Sequence, residues 1–384
     1  MVNSFRRVLI LADESADWIV AGLRQLDRLA LSIDEFALEN KETAPVLVCI
    51  LWKPELDQAQ RWTPKHEGLT RVAFTTELDG TPFDLVLNTR LFLYRKAMRQ
   101  LIDTSISSPE QKQSWEENFR QLELLLRSRP GAWEYITDGN QIDEIEKRFL
   151  RSSGKSQDGF VSRYLNRPIS RVVTRLLLRF PTTPNAWTLS TFPIPVIASL
   201  VLSHGTYGSF VWGLVLFQIF SILDGCDGEI ARAKFMESER GRKLDALFDV
   251  LSNILLVIGL GFGLRQAHPQ FGWFYLAEGI VAGMLIAINE WYLATRKPAP
   301  PGEAKPDSLG GALYPRHRDL VQRSGLLMFG EKFASLLVQL TKRDVAVLFF
   351  VFLAAIKLPS LILHLLVVVT GASLALALKA RSAL

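Results

Sequence analysis

From Trp187 onward the chain alternates long apolar runs with short polar gaps, whereas up to about Phe180 charged and apolar residues are mixed. A helix needs roughly 20 apolar residues to cross a bilayer, because lipid offers backbone groups no hydrogen bonds. The back half therefore predicts an all-α membrane domain of six transmembrane helices, near 187–202, 210–223, 244–264, 271–293, 345–358 and 361–378. Several of these runs are short and extend into their polar flanks. With the N-terminus inside, the inner loops hold Arg232, Lys234, Arg240, Arg242 and Lys243, then a second basic series from Arg296 to Arg343. The outer turns offer only Arg265 and Lys357, an asymmetry that predicts a cytosolic N-terminus and an inner or plasma membrane location.

The front half carries short β-rich runs at 7–12, 45–52, 71–75, 84–87 and 133–136, with helix-like stretches such as 18–31 and 111–127 between them. That alternation predicts an α/β domain with a mostly parallel sheet over residues 1–150. Residues 151–182 read as a linker and an interfacial amphipathic helix, in which Arg163, Arg167, Arg171, Arg175 and Arg179 accompany an apolar face of Leu165, Ile169, Val172, Val173, Leu176 and Leu177. Residues 183–384 form the membrane domain. The apolar run behind the basic N-terminus stops at Asp13 and Glu14, too soon for a signal-peptide core. Cys49 and Cys226 belong to no C-x-x-C pair, which excludes a disulfide framework or cysteine zinc site as a reading. The net charge of +5 gathers beside apolar segments, so it suits an anionic membrane surface rather than nucleic acid.

Where span two meets span three stands Asp224-Gly-Cys-Asp227-Gly228-Glu-Ile-Ala231-Arg232, followed after eight residues by Gly241-Arg-Lys-Leu-Asp245-Ala-Leu-Phe-Asp249. On helices, Asp224, Asp227, Gly228 and Ala231 share one face, and Gly241, Asp245 and Asp249 share another. Two helices joined at the membrane surface can turn these faces together. Carboxylates at membrane depth cost a few kcal/mol each unless a counter-charge or water meets them. A pair of divalent cations supplies it, and oxygen-only ligands favour Mg²⁺ or Mn²⁺ over zinc. Two such ions suit a pyrophosphate-containing donor. Gly228, Ala231 and Gly241 leave room for a nucleotide against the helices.

The pattern D-x-x-D-G-x-x-A-R, eight residues, G-x-x-x-D-x-x-x-D resembles the signature of the CDP-alcohol phosphotransferase family at every fixed position. Thr183-Pro184-Asn185 before the first span extends the likeness. The resemblance implies metal ligands at Asp224, Asp227 and Asp245, with Asp249 a ligand and the general base. It implies a CDP pocket at Gly228, Ala231, Arg232 and Gly241, a CDP-activated donor, an alcohol or alcohol-phosphate acceptor, membrane lipid as a partner and a homodimer. The two-part layout also resembles bifunctional enzymes that first make a CDP-alcohol and then use it. The loop after the first strand, Ala12-Asp-Glu-Ser-Ala-Asp-Trp18, is acidic and lacks the glycines that cradle triphosphate, and Asn88 stands where a metal-binding Asp is expected. The front domain thus reads as a degenerate nucleotidyltransferase relative. Two rival readings are an active bifunctional enzyme and a cation transporter using intramembrane aspartates. Arg316, Arg318, Lys342 and Arg343, on the aspartates' side of the membrane, are candidates to clamp an acceptor phosphate.

Overall fold

The computed structural model describes residues 5–40, 44–76, 78, 80–103, 114–128, 131–152, 159–295 and 342–382. The chain divides into two compact units: one takes residues up to 153 with 175–181 and 231–236, the other takes the remainder.

The first unit runs β1 (Arg7–Ala12), a small hairpin of β2 (Ile19–Val20) and β3 (Leu23–Arg24), then α1 (Gln25–Glu39), β4 (Val46–Trp52), β5 (Val72–Thr75), β6 (Leu85–Asn88) and β7 (Leu91–Leu93). It continues through α2 (Met98–Asp103), α3 (Trp115–Ser128), β8 (Trp133–Tyr135) and α4 (Ile142–Ser152). A four-stranded sheet has the order β5-β4-β1-β6 and is parallel throughout, with Leu9 between Cys49 and Val86. Covered on both faces, such strands read as continuous apolar runs, and β1 and β6 are buried almost end to end.

Two expectations need correction. The run at 133–136 joins no parallel sheet: β8 pairs antiparallel with β7, a three-residue strand too short to stand out in the sequence. The helix expected at 18–31 begins at Gln25, because Ala21 and Gly22 adopt positive φ (48° and 79°) and turn the hairpin. A side chain at Gly22 would meet Lys234 Cε at 2.8 Å.

Within the same unit Arg28 of α1 is fully buried and donates to Val20 O at 2.8 Å and Ala233 O at 3.1 Å. Arg95 donates to Arg232 O at 2.9 Å. Both guanidiniums thus satisfy backbone carbonyls, of Ala233 and Arg232, within this unit. Burial, and after it the neighbouring Arg95, lowers the Arg28 pKa to about 9.

In the second unit a helical stretch passes through a wide turn at Ser162–Asn166 into α5 (Arg167–Leu177). Its exposed side is apolar, with Tyr164, Ile169, Val172 and Leu176, while Asn166, Arg167, Ser170 and Thr174 are buried. That polarity is the reverse of a soluble surface helix. Next come α6 (Pro184–Thr191) and α7 (Pro193–Ser203), broken where Pro193 interrupts the backbone bonding, then α8 (Tyr207–Ala233), α9 (Glu239–Ala267), α10 (Gly272–Thr295), α11 (Arg343–Ala355) and α12 (Pro359–Ser382).

Among the described residues, four segments are long and apolar enough to cross a membrane: Pro184–Ser203, Tyr207–Ala233, Glu239–Ala267 and Pro269–Tyr292. The chain is an integral membrane protein. The last two of the six expected spans fall on α11, of 13 residues, and α12, whose apolar part is Pro359–Ala375. The proline-rich loop at 297–306 and the amphipathic helix expected at 320–340 lie outside the described residues. Small residues bring α7 and α9 together: a Cβ at Gly263 would fall 2.1 Å from Leu202 O, and Ser199 Oγ donates to Leu255 O at 2.7 Å. Lipid provides no hydrophobic drive between helices, so close backbone packing of this kind holds them.

Candidate metal centre

Residues 234–238 carry the chain from α8 into α9, and Ser238 caps α9 by accepting from the Gly241 amide at 3.0 Å. Asp224 of α8 and Asp245 and Asp249 of α9 each offer a carboxylate oxygen, all within 4.8 Å of one another. Among the described residues this is the one group of three or more acidic, His or Cys side chains so close together. Two full negative charges at that distance repel by about 3 kcal/mol at an effective dielectric of about 20, so the cluster needs positive charge. Arg343, at the start of α11, supplies some: its Nη1 pairs with Asp249 and lies 3.6 Å from Asp224, and its guanidinium sits 5.2 Å from the centre of the Phe220 ring. An all-oxygen donor set of three clustered carboxylates fits a hard divalent cation.

Asp227, the fourth expected ligand, is not in this group. It is buried, with Oδ2 accepting from Thr188 Oγ1 at 2.7 Å and Oδ1 accepting from the Gly228 amide. Thr188 lies one helical turn past Asn185, so the Pro-Asn segment reaches the motif twice. Asn185 Oδ1 is 3.0 Å from where a Cβ would stand on Gly241. Glycine there leaves room for Asn185. Ala231 and Arg232, expected in a nucleotide pocket, belong to the first compact unit. Of the four candidate phosphate-clamping residues, Arg316 and Arg318 lie outside the described residues, Lys342 is the N-cap of α11, and Arg343 faces the aspartates. Motif spacing gave no hint of Thr188 or of Arg343's pairing: one is a common residue on a polar helix face, the other stands 94 residues from its partner.

At the carboxyl ends of β1 and β6 in the first unit, where open α/β sheets usually bind ligands, the chain's own side chains close on one another. Asp13 accepts from the Ser15 amide at 2.9 Å, from Thr89 Oγ1 at 3.0 Å and from Arg90 Nε at 2.8 Å. Arg90 also reaches Glu14 at 3.0 Å, and Asn88 donates to the Tyr135 hydroxyl at 3.0 Å. Burial is the main cause raising the Tyr135 pKa, which keeps this hydroxyl protonated.

Comparison with known proteins places the membrane half. The chain is similar to proteins named bifunctional IPC transferase and DIPP synthase: 38% identical over 119 residues to that of Thermococcus kodakarensis (31% of this chain, 26% of the relative). Identity is 32% over 147 residues for Aquifex aeolicus (38% and 33%) and 33% over 183 residues for Rubrobacter xylanophilus (46% and 41%). The matched stretches thus span between about a quarter and two-fifths of these relatives' lengths. The CDP-alcohol phosphatidyltransferase family model matches residues 181–372, half of the chain, including the three clustered aspartates, Asp227 and Thr188. The chain therefore belongs to the CDP-alcohol phosphatidyltransferase family.

Proposed function

We propose that the protein transfers a phospho-alcohol group from a CDP-linked donor to a hydroxyl acceptor and releases CMP. The observation that carries this reading is the convergence of Asp224, Asp245 and Asp249 on one small volume in a chain of this family. Asp224, Asp227, Asp245 and Asp249 would hold two Mg²⁺ or Mn²⁺ ions, which when bound neutralise charge on the donor's pyrophosphate. Asp249 takes the proton of the acceptor hydroxyl; the acceptor oxygen bonds to the donor's β-phosphorus as the bond to the CMP oxygen breaks. A carboxylate is a weak base for an alcohol, so alignment of the acceptor supplies much of the rate.

Six spans, a cytosolic active site in the inner or plasma membrane, and a homodimer complete the proposal, the last carried by the family resemblance. Residues 151–182 would include a helix lying on the lipid surface, which the outward apolar side of α5 supports. Gly228, Ala231, Arg232 and Gly241 would border the CDP moiety. The acceptor we favour is a phosphorylated alcohol such as an inositol phosphate or glycerol phosphate, in keeping with the resemblance to bifunctional CDP-alcohol enzymes. Arg343 is suited to that phosphate once cations replace it at the aspartates.

Residues 1–150 would be a degenerate nucleotidyltransferase, which the self-paired Asp13 and Arg90 support. The relatives' bifunctional names keep a second reading in view, an active cytidylyl-transferring front domain. Incubating the full chain and its Asp249→Asn variant with CTP, an alcohol phosphate and Mg²⁺ separates them: pyrophosphate release by both identifies an active front domain.

A further inference from the structure

We propose that Glu229, a variable position of the motif, is a positioning residue that fixes the rotation of α8 and so holds Asp224 against Asp245 and Asp249. The inference rests on the metal-site reading above. Glu229 is 1% exposed and accepts three hydrogen bonds, all from the stretch leading into and along α5: Arg167 Nη1 at 3.0 Å, Ser170 Oγ at 2.8 Å and Thr174 Oγ1 at 2.7 Å. The Arg167 guanidinium also lies 3.4 Å from Gly225 O. Further along the same two helices, Gln218 Nε2 donates to Asn166 Oδ1 at 2.9 Å.

At about 100° per residue, Glu229 points roughly 140° away from Asp224 around the α8 axis. The helix thus presents its aspartates and Gly228 on one side and is gripped on nearly the opposite side. A buried ion pair seldom stabilises more than well-packed apolar residues of the same size, because both charges lose their water. What three directed hydrogen bonds to one carboxylate do provide is a single allowed rotation and depth. Apolar helix faces in lipid can otherwise slide past one another at little cost. The α5 stretch that supplies the donors turns its apolar side outward. A segment seated on lipid would then set the depth of the metal-binding helix.

The test is Mn²⁺ binding to the full-length protein in detergent, read from the electron paramagnetic resonance signal of free Mn²⁺ alongside thermal unfolding. Glu229→Gln keeps the size but removes the charge and places an amide where only donors meet. Its folded fraction is expected to bind Mn²⁺ about tenfold more weakly than wild type, in the range seen when groups that orient ligands are lost. Thr174→Val removes one donor while leaving the ion pair, and a drop of about threefold in the affinity of the folded protein is expected. The double variant Arg167→Met, Glu229→Met, which removes both charges, is expected to bind more tightly than Arg167→Met alone. A residue that merely stabilises the fold moves Tm and leaves the affinity of the folded protein unchanged. Unchanged affinity in folded Glu229→Gln overturns the inference, and if that variant fails to fold, unchanged affinity in Thr174→Val does so. Absence of Mn²⁺ binding to wild type, matching an Asp224→Asn control, overturns the metal-site reading itself and this inference with it.

Discussion

Thr188 Oγ1 donates a 2.7 Å hydrogen bond to Asp227 Oδ2, tying the first membrane segment to the motif helix. Removing a partner from a buried carboxylate costs about 1–3 kcal/mol, some of which falls on whatever positions the group. Thr188→Val is therefore expected to lower kcat roughly tenfold and raise the Mg²⁺ concentration needed for half-maximal rate, while Thr188→Ser retains both. Steady-state CMP release across a Mg²⁺ series is the measurement; a Thr188→Val enzyme with wild-type Mg²⁺ dependence assigns the hydroxyl to helix packing alone.

Asn substitutions test the clustered aspartates directly. Asp224→Asn, Asp245→Asn and Asp249→Asn keep the volume of each side chain and remove its charge, so folding and membrane insertion are expected to survive. CMP-forming activity is expected to fall by orders of magnitude in each. A variant that keeps full activity under limiting Mg²⁺ removes that residue from the site.

Arg343 pairs with Asp249, so under the proposed function it would compete there with a bound cation. Arg343→Ala is expected to bind Mn²⁺ at least as tightly as wild type, because a competing positive charge is gone, yet to show a raised KM for a phosphorylated acceptor. The KM for the CDP donor is expected to change little. Weakened Mn²⁺ binding in Arg343→Ala contradicts the competition.

Asp27, in the first turn of α1, lines an open cavity with Arg24, Arg61, Trp62, Lys65 and His66. Burial raises its pKa above the ordinary value, outweighing the opposing pull of His66 and Arg24. A carboxyl with a raised folded-state pKa holds its proton more tightly than in the unfolded chain. At neutral pH, where it is ionised in both states, it therefore opposes folding, and the opposition fades as pH falls through the raised folded pKa toward the unfolded one. Asp27→Asn is expected to raise Tm at pH 7, with the difference from wild type shrinking in mild acid. A difference that grows on acidification contradicts this.

Much of the site and the layout was legible in the sequence, for reasons tied to particular residues. Asp224, Asp245 and Asp249 occur at helical spacing in segments whose apolar length fixes them as helices, so their convergence follows from periodicity. The parallel strands β1, β4, β5 and β6 are short apolar runs buried on both faces, which also read plainly. Elements set by tertiary contact were not legible. The start of α1 is decided by positive φ at Ala21 and Gly22, and β7 exists because β8 pairs with it. The side-chain partners of Asp227 and Glu229 stand 39 to 62 residues away, at positions outside any motif. Spacing within one segment cannot report such a pairing.

The central claim is tested most directly by mass spectrometry of the products formed when the purified full-length protein is incubated with CDP-diacylglycerol, Mg²⁺ and a panel of alcohols that includes inositol phosphate and glycerol phosphate. The account predicts CMP and one new phosphodiester in equal amounts, both abolished by EDTA and by Asp249→Asn. CMP production that persists in Asp249→Asn or in EDTA contradicts it, as does the absence of any phosphodiester when the CDP donor is replaced across the same panel by other CDP-alcohols.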